Sequence, residues 1–100
     1  MQERRAAERQ RIDLAARWEA LRTQGRGAVC DLSSRGCFVL TSAEVKPGEL
    51  IRLDINFPGE TSSVWGHVVY SVSEMGFAVR FAFGNEADER LIDQLMEALH

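Results

Sequence analysis

Hydrophobic and polar residues alternate along several short stretches of this 100-residue chain. Residues 50–57 give the clearest case, because every second side chain from Ile51 onward is apolar, which is the period of a β-strand with one buried face. Residues 12–20 alternate in the same way, although a helical stripe through Leu14, Trp18 and Leu21 is a competing interpretation. The pattern favours a strand in both stretches.

Turns rich in glycine, proline and polar residues separate these stretches from further β-rich runs. Several short strands with turn signals at this spacing predict a small β-barrel or sandwich. The predicted turns cover residues 24–27, 46–48, 58–60 and 73–76, and the further strands cover residues 28–32, 37–41, 64–72 and 77–83.

The last part of the chain has a helical period, and we predict a helix over residues 86–99. Asn85 is a good N-cap residue, and Asp88 follows it three residues later, as in a capping box. Apolar residues then recur on one helical stripe, which we expect to pack over an open end of the barrel. The stripe consists of Leu91, Ile92, Leu95, Met96 and Leu99.

Length and composition indicate one folded domain, because 45% of the residues are apolar. No apolar run approaches the ~18 residues that span a bilayer, and no signal-peptide pattern opens the chain. Two cysteines, Cys30 and Cys37, do not indicate a disulfide-rich secreted scaffold. We therefore expect a soluble cytoplasmic protein that is not associated with a membrane and in which both thiols are small buried groups. A weaker hypothesis is that the two thiols pair upon oxidation.

Charge is distributed unevenly along the chain, whose net charge is −3. Residues 1–26 contain seven arginines and four acidic residues, whereas residues 84–100 contain one arginine and five acidic residues. A basic N-terminal stretch on an acidic body favours one small bound anion. It disfavours a nucleic-acid-binding surface, which needs a broad basic face.

Two arginines with a phosphate-binding spacing, Arg5 and Arg9, lie in a polar stretch that we expect to be a flexible arm over residues 1–11. A guanidinium group can hold phosphate oxygens through two hydrogen bonds and can also stack on a base. The two side chains share a face if the arm is helical, and lie ~13 Å apart if it is extended. A solvated basic tail is the alternative interpretation.

A second polar cluster, Asp31-x-Ser33-x-x-Gly36, lies at the predicted tip between two strands. On a strand, Asp31 and Ser33 point to the same side, so a carboxylate and a hydroxyl are presented together. A carboxylate can accept hydrogen bonds from the two adjacent donors on a guanine edge. Gly36 allows a positive φ or a close approach by a ligand. An ordinary turn is the alternative for this segment taken alone.

Together, these two segments resemble the PilZ domain, a bacterial receptor module for cyclic di-GMP. The family pattern is an RxxxR arm followed about twenty residues later by a D/N-x-S-x-x-G tip. Residues 66–70 and 76–81 also resemble the late strands of the family, so the resemblance covers roughly the whole chain. It implies a six-stranded antiparallel β-barrel with a C-terminal helix.

The resemblance also implies a role for each motif residue. Arg5 and Arg9 would hold the phosphates and stack on guanine, and Asp31 would read a guanine edge. Ser33 and Gly36 would complete the pocket at the mouth of the barrel.

Arg4, directly before the arm motif, is associated in this family with two stacked molecules of cyclic di-GMP, so one or two ligand molecules are expected. Many relatives carry a proline after the second arginine, where this chain has Gln10 and Arg11. That departure predicts a more helical or more mobile arm.

The function implied is sensing of cyclic di-GMP, with an output through a downstream protein partner that the sequence does not identify. We expect no enzyme activity and no cofactor, because no nucleophile–base pair is apparent and neither His67 nor His100 has metal-binding neighbours at a suitable spacing. One alternative is a PilZ-like adaptor that binds protein and not nucleotide. Another is a nucleic-acid-binding barrel, but Trp18 and Trp65 are predicted to face inward as core residues.

Overall fold

A computed structural model gives the fold, of which residues 9–99 are described. Six strands form a closed barrel in the order β1-β2-β3-β6-β5-β4, and every neighbouring pair is antiparallel. One helix follows the last strand, so the predicted fold class is confirmed. The elements are β1 (Gln10–Ala20), β2 (Gln24–Leu32), β3 (Gly36–Leu40), β4 (Leu50–Phe57), β5 (Glu60–Val72), β6 (Gly76–Phe81) and α1 (Glu86–Glu97).

The first stretch is a strand and not a helix, as the alternation predicted. β1 begins at Gln10, two residues before the predicted start, because Gln10 pairs with Leu32 and Arg11 pairs with Asp31 on β2. The last two residues of the expected arm therefore belong to the barrel. Residues 1–8 of that arm lie outside the described part of the chain.

The turn predicted at residues 24–27 is wrong, because β2 already begins at Gln24. The chain turns before that, at residues 21–23, where the backbone N–H of Ala20 donates to the carbonyl oxygen of Thr23 at 2.8 Å. Gly25 is needed for packing, since a Cβ there would lie 2.9 Å from the indole ring of Trp18. Gly27 similarly lies against the carbonyl of Leu40. These glycines allow strands and rings to approach closely within the sheet.

The barrel interior is filled by alternating side chains from all six strands. Trp18 and Phe77 pack edge to face inside it, with ring centroids 5.5 Å apart. The helix adds Ile92 and Met96 to the same buried cluster, so its apolar stripe packs on the barrel as predicted. The helix ends at Glu97, two residues earlier than predicted, and Asn85 caps its start by accepting from the backbone N–H of Asp88 at 3.0 Å.

The inward placement predicted for Trp65 is wrong, because half of its surface is exposed. Val64 and Val68 are buried on the same strand, so the odd-numbered position between them faces outward. Trp65 lies near Leu21 and Leu50, which are also exposed, at the end of the barrel where β1 stops. Within residues 9–99, no helix is long and apolar enough to cross a membrane.

Candidate functional site

The tip between β2 and β3 is held by its own hydrogen bonds. The backbone N–H of Ser33 donates to the carbonyl oxygen of Gly36 at 2.9 Å. The Ser33 hydroxyl accepts from the backbone N–H groups of Arg35 and Gly36 at 3.1 and 3.3 Å. It also donates to the carbonyl oxygen of Gly36 at 3.3 Å. Ser33 is therefore a buried residue that shapes the turn, with its hydroxyl engaged by the tip itself.

Gly36 meets the neighbouring strand very closely. A Cβ at this position would collide with the backbone carbonyl of Val79 on β6. The positive-φ glycines among the described residues are Gly48, Gly59 and Gly76, so the left-handed backbone considered for Gly36 is not observed. Glycine is required here because β3 and β6 pack tightly below the tip.

An irregularity in β2 turns Asp31 to the outside of the barrel. Val29 and Leu32 are both fully buried although they are three residues apart, so the alternation changes phase between them. Both ladders of β2 shift register at this point, on either side of Cys30. Uninterrupted alternation from Val29 would have pointed Asp31 into the core. The bulge instead aims the carboxylate at the outer face, which is a common use of bulges at functional sites.

Arg9, directly before β1, forms an ion pair with Asp31, near the end of β2. The Nη1 of Arg9 donates to Oδ2 of Asp31 at 2.9 Å. The other carboxylate oxygen, Oδ1, is buried and has no hydrogen-bond partner among the described residues. A buried unsatisfied acceptor is costly, because water and protein donors are both withheld from it. The carboxylate therefore has an unused acceptor, but a ligand donor reaches it only if the groups that cover it move.

A concave site of about 280 Å³ lies beside this ion pair on the outer surface of the barrel. Arg9, Ser33 and Gly36 line it directly, whereas Asp31 does not line it but forms the ion pair with Arg9. The structure thus brings four of the six predicted site residues to one place. Arg4 and Arg5 lie outside the described residues.

Eight further residues line the same concavity, and the four with aromatic or charged side chains were missed as site candidates by the sequence analysis. They are Phe38 on β3, Tyr70 on β5, Arg80 on β6 and Arg35 in the tip. Arg35 lies within the tip motif, so its position in the sequence could have identified it as a candidate site residue. The others reach the site only through the pairing of β3, β5 and β6, which neither composition nor spacing along the chain indicated.

The two cysteines are not opposite each other. Cys37 pairs with Leu32 in the β2–β3 ladder, whereas Cys30 lies at the bulge, and both thiols are free. Burial raises the pKa of the Cys37 thiol strongly, with a smaller contribution from the charge of Asp31. The pKa of the half-buried Cys30 is raised as well, by burial first and then by Asp31. Both are therefore protonated, weakly reactive thiols at neutral pH.

No group of three or more histidine, cysteine or acidic side chains is placed to hold a metal ion within residues 9–99. His67, the one described histidine, lies on β5 opposite Arg80 and Leu50. Its neighbours across the sheet are therefore a cation and an apolar side chain.

Comparison with protein families supports the assignment that the motifs suggested. The family model of the PilZ domain matches residues 3–98, so this chain belongs to the PilZ domain family. That family consists of regulatory receptor modules, and no catalytic family is indicated. A search of the curated proteins finds no match to this chain.

Solved structures show the same fold at low sequence identity. The PilZ domain of CeSA from a cellulose-synthesizing bacterium is 17% identical, with a TM-score of 0.78 over 92% of this chain and 97% of that one. MrkH of K. pneumonia, solved as a complex with c-di-GMP, is 18% identical, with a TM-score of 0.74. The Bacillus subtilis inhibitor of motility, MotI/DgrA, is 19% identical, with a TM-score of 0.69. This chain is covered to 97% in the last two comparisons but spans only 52% of each of those proteins.

Proposed function

We propose that this protein is a bacterial cytoplasmic receptor for cyclic di-GMP, which it binds at the concavity beside Arg9 and Asp31. The observation that carries this proposal is the exposed Arg9 guanidinium held at 2.9 Å from a carboxylate whose Oδ1 is buried without a partner. Membership of the PilZ family and the likeness to MrkH, solved with c-di-GMP, support it.

The chemistry of the pair suits a guanine nucleotide. Guanine presents an N–H and an amino group side by side, and the unpartnered Oδ1 of Asp31 can accept from them. Because Oδ1 is buried in this conformation, binding in this way requires the groups that cover it to move. Arg9 has further N–H donors that do not contact Asp31, and these can hold a phosphate oxygen. Each charge-assisted hydrogen bond contributes about 1.5–3 kcal/mol, and a micromolar complex needs about 8 kcal/mol in total. A few such bonds together with base stacking therefore give a regulatory affinity.

The arginine arm supplies the rest of the proposed site. Arg5 precedes Arg9 by four residues, and we assign it the second phosphate, with Arg4 favouring a second stacked ligand molecule. Closure of the arm over the ligand changes the surface next to the concavity, and that surface is what a downstream protein would read. Ordering a segment upon binding lowers affinity, but it makes binding a switch.

Calorimetric titration of the full chain with cyclic di-GMP tests the proposal. We expect the protein to bind and the Arg9→Ala and Asp31→Ala variants to bind about ten- to a hundredfold more weakly, because each loses at least one charge-assisted hydrogen bond. Arg17→Ala is the matched control, since Arg17 is an exposed arginine on β1, the strand that directly follows Arg9, and lies outside this concavity. Its affinity is expected to stay within about twofold of the parent's, because the long-range effect of one exposed charge is screened.

The same titration separates the remaining possibilities. If the intact protein gives no heat and no competition with labelled ligand, the receptor proposal fails and the adaptor alternative is favoured. If the protein binds but Arg9→Ala and Asp31→Ala bind as tightly as Arg17→Ala, the assigned site is wrong. The stoichiometry reports one or two ligand molecules, and a change from two to one in Arg4→Ala would support the role assigned to Arg4.

A further inference from the structure

A second concavity, of about 600 Å³, lies on the outer surface of the barrel at the end where β1 stops. Its apolar centre consists of Leu21, Leu50 and Trp65, all exposed, and we call it the Trp65 surface. It shares no lining residue with the concavity beside Arg9. Single exposed hydrophobic residues are ordinary, whereas a cluster of them marks a surface that another molecule covers. The Trp65 surface is therefore a candidate contact site separate from the proposed ligand site.

Strand pairing explains why these side chains gather. Arg52 on β4 pairs with Glu19 on β1 and with Trp65 on β5, and all three side chains are on the outer face of the barrel. Leu21 directly follows the last residue of β1, and Leu50 is the first residue of β4. Because β1 and β4 are antiparallel neighbours, the end of one strand and the start of the other meet at the same end of the barrel. The register therefore places an apolar row beside a charged row.

The Trp65 surface combines a projecting side chain with a recess. Leu21 lies in the turn between β1 and β2 and is the most exposed large hydrophobic residue within residues 9–99, at 87%. Leu50 and Trp65 are each about half exposed and line the concavity beside it, together with the small side chain of Ala20. In a contact with two-fold symmetry, the same patch is used on both copies. A patch with both a projection and a recess fits such a contact, because Leu21 of each copy can enter the concavity of the other.

The charges at the rim are also complementary to themselves. Glu49 precedes Leu50 and Arg22 follows Leu21, so one acid and one base flank the two leucines. Neither Glu49 nor Arg22 forms an ion pair within the described part of the chain. When Leu21 of one copy lies on Leu50 of the other, Arg22 is brought toward Glu49 of that other copy. A partner with charge of a single sign would be repelled by one of these two groups.

The remaining charged groups of the Trp65 surface are held in place before any contact forms. Nη2 of Arg52 lies 3.2 Å from Oε1 of Glu19, and its Nε lies 3.6 Å from Oδ1 of Asp54. Oε2 of Glu49 accepts from the backbone N–H of Lys46 at 3.0 Å. Side chains that are already ordered lose little conformational freedom upon association, so this rim lowers the cost of covering the surface.

We propose that the Trp65 surface is a homodimer contact, in which two copies of the chain meet through Leu21, Leu50 and Trp65 with Arg22 and Glu49 at the rim. A standard interface covers about 800 Å² and about 20–30 residues on each partner. Seven residues line this concavity, so it forms only the centre of such an interface, and the dimer should be weak and dependent on concentration. The inference goes beyond the proposed function and uses none of the residues assigned to the ligand.

Sedimentation velocity of the full chain, at protein concentrations from about 1 µM to about 1 mM, tests the inference. We expect a reversible dimer whose dissociation constant rises at least about a hundredfold in Leu21→Asp, because each dimer loses two buried leucine contacts. Trp65→Ala should raise it at least about tenfold for the same reason. Met75→Asp is the matched control, since Met75 is an exposed apolar residue in another turn, outside the Trp65 surface. It should dimerise like the parent.

Exchange of the rim charges tests the two-fold arrangement itself. Arg22→Glu and Glu49→Arg should each weaken the dimer about tenfold, because like charges then face each other across the contact. The double variant should recover most of the parent affinity, since opposite charges meet again. Arg26→Glu is the control, because Arg26 is an exposed arginine on β2 that does not line the Trp65 surface. Far-UV circular dichroism establishes that each variant is folded before sedimentation.

Three results would overturn the inference. A parent protein that stays monomeric at every concentration would leave the Trp65 surface to a different protein. A dimer that persists equally in Leu21→Asp, Trp65→Ala and Met75→Asp would form through another surface. Failure of the double charge variant to recover affinity would contradict the two-fold arrangement. Cyclic di-GMP titration is a separate measurement, so a protein that dimerises without binding this nucleotide would contradict only the proposed function.

Discussion

At the scale of single residues, the two cysteines show how strongly local surroundings set the chemistry of one side chain. Cys37 points into the barrel and is buried, whereas Cys30 lies half-buried at the bulge in β2. Burial withholds water from the thiolate, so the pKa of Cys37 is raised well above its usual range. The folded state therefore retains this proton at a pH where the unfolded chain releases it.

The raised pKa of Cys37 predicts a loss of stability in alkaline solution. The contribution is fully present below the unfolded-state pKa, near 9.0. It is lost as the pH rises above that value, by up to about 1.4 kcal/mol per pH unit. Urea unfolding at pH 8 and at about pH 10 measures this slope. Cys37→Ala should show a shallower slope, and Cys30→Ala should keep most of it. Equal slopes in the parent and Cys37→Ala would contradict the assignment.

At the scale of elements, the tip depends on how closely β3 and β6 approach each other. Gly36 pairs with Arg80, and its α-carbon lies against the carbonyl of Val79. The end of β6 also donates a hydrogen bond to the tip, from the backbone N–H of Phe81 to the carbonyl oxygen of Arg35 at 2.8 Å. The tip is therefore anchored to β6, and the conformation of the proposed site depends on this strand pairing.

Replacing Gly36 by alanine should destabilise the barrel by more than about 2 kcal/mol, because the added methyl group collides with a backbone carbonyl that cannot move alone. The matched control is Gly84→Ala, where the nearest atom to the added Cβ would be 4.0 Å away. Chemical unfolding of both variants and the parent measures the difference. A Gly36→Ala midpoint equal to that of Gly84→Ala would mean that the strands separate at little cost.

At the scale of the whole molecule, closure of the sheet places the proposed site. β1 pairs with both β2 and β4, so none of the six described strands is left with an open edge of the sheet. The order of the strands also makes β6 the neighbour of both β3 and β5, which brings the tip and the aromatic pair Phe38 and Tyr70 to one outer surface. A ligand that binds there contacts side chains from several strands and stabilises the folded barrel as a unit.

Ligand binding to the folded state should therefore raise the thermal midpoint of unfolding. At a free cyclic di-GMP concentration about 100 times the Kd, the added stability is about 2.7 kcal/mol. For a domain of this size, that corresponds to a shift of about 10 °C or more. Calorimetric scans with cyclic di-GMP, and with GMP at the same guanine concentration, measure it. Equal shifts with the two nucleotides, or an undiminished shift in Arg9→Ala, would contradict specific binding at the proposed site.

Much of the fold was predictable because the signals are local. Alternation identified β1 and β4, glycine and proline located most turns, and Asn85 marked the start of α1. The glycines at 25 and 27 misled the prediction, because local chemistry does not distinguish a glycine that turns the chain from one that lets an indole or a strand pack closely. Trp65 misled it as well, since the phase of an alternating pattern depends on which face the tertiary fold buries.

The sequence by itself determined the class of fold, the family and two halves of a nucleotide-binding pattern, because periodicity and motif spacing are properties of the chain alone. Only the tertiary structure decided where those residues meet. The bulge at Cys30 turned Asp31 outward, the β3–β6 ladder required Gly36, and the order of the strands brought Arg80 and Tyr70 to the concavity beside the tip. Those contacts depend on register between strands far apart in sequence, and register is set by burial across the whole barrel.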